Sequence, residues 1–170
     1  MLIQLYNKLK ETHKEEMLLI KETKLYDAFV LLKARDDYGA KLLIVSIYVI
    51  MGKYKDALTK LKELENDKAF FKENLINEDV FYEMIGTCYF SQKNYLDASH
   101  YYLKGLHING ENFYCLYNMA SIHILNKSYV KALEYLEQLK EIEPEDEIIN
   151  RNIENLYKKI NEEKTEAKAL

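Results

Sequence analysis

The sequence predicts an all-α protein, a stack of helical hairpins closed by a terminal helix, and three observations predict it. The first is an internal echo at 34 residues: Ile85 recurs as Met119, Gly86 as Ala120, Tyr95 as Tyr129, Ala98 as Ala132, Tyr102 as Leu136, Gly105 as Leu139 and Gly110 as Pro144. Periods of 20 to 50 residues mark stacked repeats, each too small to bury its apolar face alone. The second is the scarcity of turn formers, one proline and five glycines in 170 residues, too few for the turns of an all-β chain. The third is apolar spacing of three and four residues, as in Tyr82, Ile85 and Tyr89 or Leu116, Met119 and His123, the period of one helix face.

The elements follow in order. Within an N-terminal region 1–37, Leu2, Leu5, Tyr6 and Leu9 make one amphipathic face and Met17 to Ile20 another. Leu25 to Lys33, with Tyr26, Ala28, Phe29 and Leu32, has the look of a return helix, so residues 9–36 read as a degenerate hairpin. Residues 38–144 carry three repeats, 38–71, 79–112 and 113–146. In the last two, 79–91 and 113–125 are first helices and 95–108 and 129–142 return helices. The links Gln92-Lys93-Asn94 and Asn126-Lys127-Ser128 are short enough to force antiparallel turns. The first copy precedes the second by 41 residues instead of 34, with Ile44, Tyr48, Tyr54, Ala57 and Leu61 ahead of Ile85, Tyr89, Tyr95, Ala98 and Tyr102. The extra residues belong between Leu64 and Asp79, an insertion near 66–78. Pro144 and the acidic Glu145-Asp146-Glu147 start a capping helix over 145–170, since proline suits a helix start and carboxylates favour its positive end. Ile149, Ile153, Leu156 and Ile160 form its one apolar side, and the residues beyond Asn161 are expected to fray.

Composition excludes several function classes. A net charge of −4 with 31% charged residues lacks the basic excess of a nucleic-acid footprint. The longest apolar run, Leu42 to Met51, is flanked by Lys41 and Lys53 and is too short to span a bilayer. Met1 to Ile20 is dotted with Lys and Glu, unlike a secretory signal, which points to the cytoplasm. Cys88 and Cys115 fall in helices and read as small reduced core residues. No glycine-rich phosphate loop and no Cys or His at metal spacing appear, so neither cofactor nor metal nor enzymatic activity is expected. His100 and His107 share a helix without a third ligand, and His123 stands where a packing tyrosine is expected. The acidic cluster Glu143 to Glu147 solvates and caps a helix, whereas acid–base chemistry needs a desolvated pocket.

The repeats resemble the tetratricopeptide repeat, a 34-residue helix–turn–helix unit. The second copy supplies Tyr82, Ile85-Gly86, Tyr89, Ala98, Tyr102 and Gly105, and the third supplies Leu116, Met119-Ala120, Ala132 and Pro144. The third departs from the pattern at His123, Leu136 and Leu139, and the first has Val45 where a small residue is usual. The resemblance implies a right-handed superhelix in which Gly86 and Ala120 leave space for Tyr102 and Leu136.

It also implies a concave groove lined by the first helices: Leu42, Leu43, Ser46 and Val49; Val80, Glu83, Met84, Thr87 and Phe90; Tyr114, Tyr117, Asn118, Ser121 and Ile124. Family members that clamp the C-terminal carboxylate of chaperones use Lys, Asn and Arg, but the matching places hold Leu42, Ser46, Met84, Tyr114 and Asn118, and only the asparagine fits. An apolar and aromatic lining suits a helical or extended segment of another protein. The groove's other candidate occupant is the chain's own Met1 to Lys10 helix. The function expected is a non-enzymatic interaction adaptor within a larger assembly. A small chaperone shielding an apolar client segment and a structural subunit self-associating through its terminal helices are the alternatives.

Overall fold

The structure is a computed structural model that describes residues 8–169, with side chains described for 8–165. Leu2, Leu5 and Tyr6 of the predicted N-terminal face lie outside the described residues. Among the described residues the regular structure is helical throughout: α1 Lys14–Lys21, α2 Leu25–Lys33, α3 Tyr38–Ile50, α4 Tyr54–Glu65, a 3-10 turn Phe70–Glu73, α5 Glu78–Ser91, α6 Tyr95–Ile108, α7 Phe113–Leu125, α8 Tyr129–Ile142 and α9 Glu147–Ala169. The chain forms two compact units, Met1–Ala98 and Ser99–Leu170.

One turn design joins each first helix to its return helix. At the end of α1, α3, α5 and α7 a single residue takes a left-handed backbone: Thr23 (φ 62°), Gly52 (φ 69°), Lys93 (φ 60°) and Lys127 (φ 55°). The next residue's N–H reaches back to a carbonyl five positions earlier: Lys24 to Leu19 at 2.9 Å, Lys53 to Tyr48 at 2.8 Å, Asn94 to Tyr89 at 3.0 Å and Ser128 to His123 at 2.8 Å. This is the Schellman motif, which satisfies carbonyls that the helix end leaves without partners. From Gly52 onward these turns recur at the same 41- and 34-residue offsets as the sequence echo.

In the first unit, α3 is buried from Gly39 to Ile47 except at the half-buried Lys41, as suits a helix that is apolar on nearly all sides. Its start is fixed by Asp37, whose side chain accepts the Ala40 N–H at 2.9 Å. Ala28 and Leu32 from α2, Ala57, Leu61 and Leu64 from α4, and Phe81 and Ile85 from α5 are also buried. The segment between α4 and α5 is an aromatic plug. Phe70 is buried with its ring 5.6 Å from Tyr38, 5.0 Å from Phe71 and 5.2 Å from Phe81. The Tyr38 hydroxyl donates to Asp67 at 2.6 Å, which ties the start of α3 to this segment.

In the second unit, Leu116 and Ala120 of α7, Ala132, Leu136 and Leu139 of α8, and Ile149, Ile153 and Leu156 of α9 make one core. The small residues let the helices approach, and Leu136 shares this core with Ala120, as the resemblance implies. Asp146 caps α9, accepting from Ile148 at 2.8 Å and Ile149 at 3.0 Å. The helix differs from expectation at its far end, running on past Asn161 to Ala169. The Glu, Lys and Ala of that stretch are strong helix formers, which favour a helical backbone there.

Candidate interaction surface

The predicted groove residues fall in both units, and their surroundings differ. In the second unit, α7 starts at Asn112, whose side chain accepts the Cys115 N–H at 2.9 Å. Leu116, Met119 and Ala120 turn inward, so Tyr114, Tyr117 and Ser121 fall along the outer side of the helix at helical spacing. Tyr114 is 61% exposed and Tyr117 37%. Phe113 holds both rings in place, edge-on to Tyr114 with centroids 5.7 Å apart and stacked parallel to Tyr117 at 6.5 Å. Asn118 is half-buried beside them. The Ser121 hydroxyl donates to the Tyr117 carbonyl at 2.9 Å. Ile124 is half-buried and packs on the core of the unit. The result is a strip of aromatic area with amide and hydroxyl groups alongside.

In the first unit, Val80, Glu83, Thr87 and Phe90 of α5 are half-buried and Met84 is buried. Burial raises the Glu83 carboxyl above its ordinary value, opposed by the Thr87 hydroxyl, which donates to it at 3.0 Å. The Phe90 ring packs against Tyr95 with centroids 5.4 Å apart. Along α3, Leu42 and Leu43 are closed to solvent, Ser46 is 1% exposed and Val49 is half-buried. Ser46 donates to the Leu42 carbonyl at 3.0 Å, so its hydroxyl needs no outside partner.

A polar knot at the head of α3 carries no signal in sequence spacing. His13 is 2% exposed, with Nε2 2.8 Å from Asp37 Oδ1 and Nδ1 2.8 Å from the Thr12 hydroxyl. Arg35 donates through Nε to Asp37 at 2.9 Å and lies 3.4 Å from the buried Glu16. Burial pushes the Asp37 carboxyl up, but the Ala40 N–H, Arg35 and His13 outweigh it and hold it below the usual carboxylate value. The knot borders a cleft of about 710 Å³ that also touches Leu9, Tyr38, Gly39 and Asp67. Its charged groups are engaged with one another, which makes it a fastening between α1 and α3.

Among the described residues no group of three or more His, Cys, Asp or Glu is placed to hold a metal ion. Cys88 and Cys115 are buried and in no disulfide, and burial pushes the Cys88 thiol up to about 12, so it is held in the unreactive protonated form. His123, standing where a packing tyrosine is expected, stacks on Tyr135 with centroids 5.5 Å apart, and burial followed by Lys131 holds its imidazole below the ordinary value. Among the described residues no helix is long and apolar enough to cross a membrane.

No protein-family model and no curated protein matches the sequence. Solved structures do. The chain is similar to the crystal structure of MamA, at a TM-score of 0.70 and 18% identity over 86% of this chain and 85% of that one. It is similar to a tetratricopeptide repeat protein from Parabacteroides merdae, at 0.67 and 16% over 92% of this chain and 64% of that one. A third likeness is to YrrB, described as a TPR protein with an unusual peptide-binding site, at 0.65 and 14% over 92% of this chain and 84% of that one. Identities this low speak for architecture alone, and with the echo in the sequence and its recurring turns they give this chain the fold of the tetratricopeptide-repeat proteins.

Proposed function

We propose that this protein is a non-enzymatic interaction adaptor that holds a helical or extended segment of another protein, with the outer side of α7 as an anchoring surface. The observation that carries this is the pair Tyr114 and Tyr117, exposed but held by Phe113. Rigid aromatics lose little conformational freedom on binding and dominate the energetics of interfaces. Asn118 and Ser121 beside them supply polar groups for a partner's backbone. In the first unit, Leu42, Ser46 and Met84 of the expected lining are buried, and the half-buried Val49, Val80, Glu83, Thr87 and Phe90 are proposed as a contact surface of that unit by itself, with Glu83 as its acidic member. The description of YrrB as peptide-binding supports the class of partner.

The test is affinity capture from the native source with the unsubstituted chain and with a Tyr114→Lys plus Tyr117→Lys variant, both checked by circular dichroism. One protein lost specifically from the variant supports the reading. Capture of the same set by both removes α7 as the site.

A further inference from the structure

We propose that the cleft between the start of α8 and the far part of α9 is a second contact surface of the second unit, one that takes an acidic, partly apolar segment of a protein partner. The inference goes beyond the proposed function by naming the chemistry of a contact other than Tyr114 and Tyr117, and rests on it only for the occupant being a protein segment.

The cleft measures about 410 Å³, and Lys127, Lys131 and Lys164 line it with Glu163 as the only acid among the described lining residues. This is a local reversal of sign in a chain of net charge −4. All three lysines are exposed, and among the described residues none of them forms an ion pair. A fourth ammonium stands beside a lining residue, since Lys159 Nζ lies 5.2 Å from the centroid of the Tyr129 ring. Like charges gathered without counter-charges repel one another, so a carboxylate entering the cleft relieves that repulsion as well as gaining attraction.

The rest of the wall decides between a bare anion and a segment. Tyr129, Val130 and Ile160 are apolar there, with Val130 60% exposed and the other two half-buried. An inorganic anion covers none of this area, whereas a peptide sets an apolar side chain on it and carboxylates on the lysines. The wall is held in place before binding. Tyr129 packs on the core of the unit, and the left-handed backbone at Lys127 is fixed by the Lys127 N–H to the Ile124 carbonyl at 3.0 Å and the Ser128 N–H to the His123 carbonyl at 2.8 Å. A concave site within the usual range of binding clefts, about 300–1,000 Å³, suits a few side chains better than the flat face of a lipid bilayer.

The test uses the full chain and a dye-labelled probe peptide, Asp-Glu-Leu-Glu-Asp, with Asn-Gln-Leu-Gln-Asn as its neutral counterpart, followed by fluorescence anisotropy. Binding of the acidic probe is expected to weaken about tenfold when Lys127→Gly, Lys131→Gln and Lys164→Gln are combined, and to strengthen about twofold in Glu163→Gln. Lys127→Gly puts a residue without a Cβ on a left-handed backbone, so the loss does not come through a loosened turn. Removing as many charges around the smaller cleft beside α1, by Lys10→Gln, Lys14→Gln and Lys21→Gln, is expected to leave the binding unchanged. The proposal is overturned if the acidic probe does not bind, if the neutral peptide binds as well, or if both triple variants weaken binding equally, which would make the attraction one of charge alone. Binding to phosphatidylserine vesicles but not to the probe assigns the lysines to a lipid surface and also overturns it. So does self-association of the unsubstituted chain that the cleft variant loses in sedimentation, because the occupant is then a second copy. The capture experiment reads Tyr114 and Tyr117 instead, so either idea can fail alone.

Discussion

At the scale of single residues, the four left-handed turn positions carry different side chains for the same backbone. Gly52 adopts the conformation freely, whereas Thr23, Lys93 and Lys127 carry a Cβ that crowds the following carbonyl. Replacing Lys93 or Lys127 by glycine is expected to stabilise the chain by about 0.5–1 kcal/mol after the extra freedom of the unfolded glycine is allowed for, and Gly52→Val to destabilise it by about 1–2 kcal/mol, read by chemical denaturation. The links were legible as short polar stretches, but only Gly52 bore a residue type that marks its conformation. The His13, Glu16, Arg35 and Asp37 knot was illegible for another reason: its members come from separate segments, and no periodicity relates them. Asp37 and Asp67 are both held below the usual carboxylate value, Asp67 chiefly by the Tyr38 hydroxyl and then the Ala69 N–H. A lowered folded-state value means that their stabilisation is complete above the unfolded value near pH ~4 and is lost as pH falls through the folded one. Thermal unfolding followed from pH 5 to pH 2 should show a falling midpoint, with a shallower fall in Tyr38→Phe. A midpoint that is flat over this range contradicts the assignment.

At the scale of elements, helical periodicity placed α5 to α8 at the residues where they stand, because each buries one face and signals it at three- and four-residue spacing. The change of offset from 34 to 41 located the extra residues near 66–78 without revealing their work. Their content is the plug of Phe70 and Phe71 against Tyr38 and Phe81. A single short aromatic pair has no period from which to read its neighbours. Phe70→Ala is expected to cost about 3–5 kcal/mol, as for deletion of a fully buried ring, and Phe71→Ala less because its ring is only half-buried. Equal costs in urea denaturation would mean that Phe70 is not the centre of the plug. The head of α3 offers a similar test. Gly39→Ala drives a methyl into Leu9 and His13, and overpacking of this kind costs about 1–3 kcal/mol. Amide exchange should show the loss concentrated around Leu9 to Met17, and a variant as protected there as the parent would show that the N-terminal segment can move aside at no cost.

At the scale of the whole molecule, stacked hairpins explain why the chain has a fold legible in its sequence and a function that is not. Repeats announce themselves because every unit must solve the same packing problem, so small residues, aromatics and turns recur at fixed offsets. Binding residues answer to a partner instead, and only the exposure of particular side chains separates them from core. Tyr114 and Tyr117 are open, whereas Leu42, Ser46 and Met84, drawn from the same predicted lining, are buried. The adaptor account stands or falls on the open pair. The most direct measurement is a calorimetric titration of the captured partner's segment against the unsubstituted chain and the Tyr117→Lys chain. Loss of a well-packed aromatic anchor predicts a weakening of at least tenfold, about 1.4 kcal/mol or more. An unchanged dissociation constant in a folded variant would contradict the account and move the site away from α7.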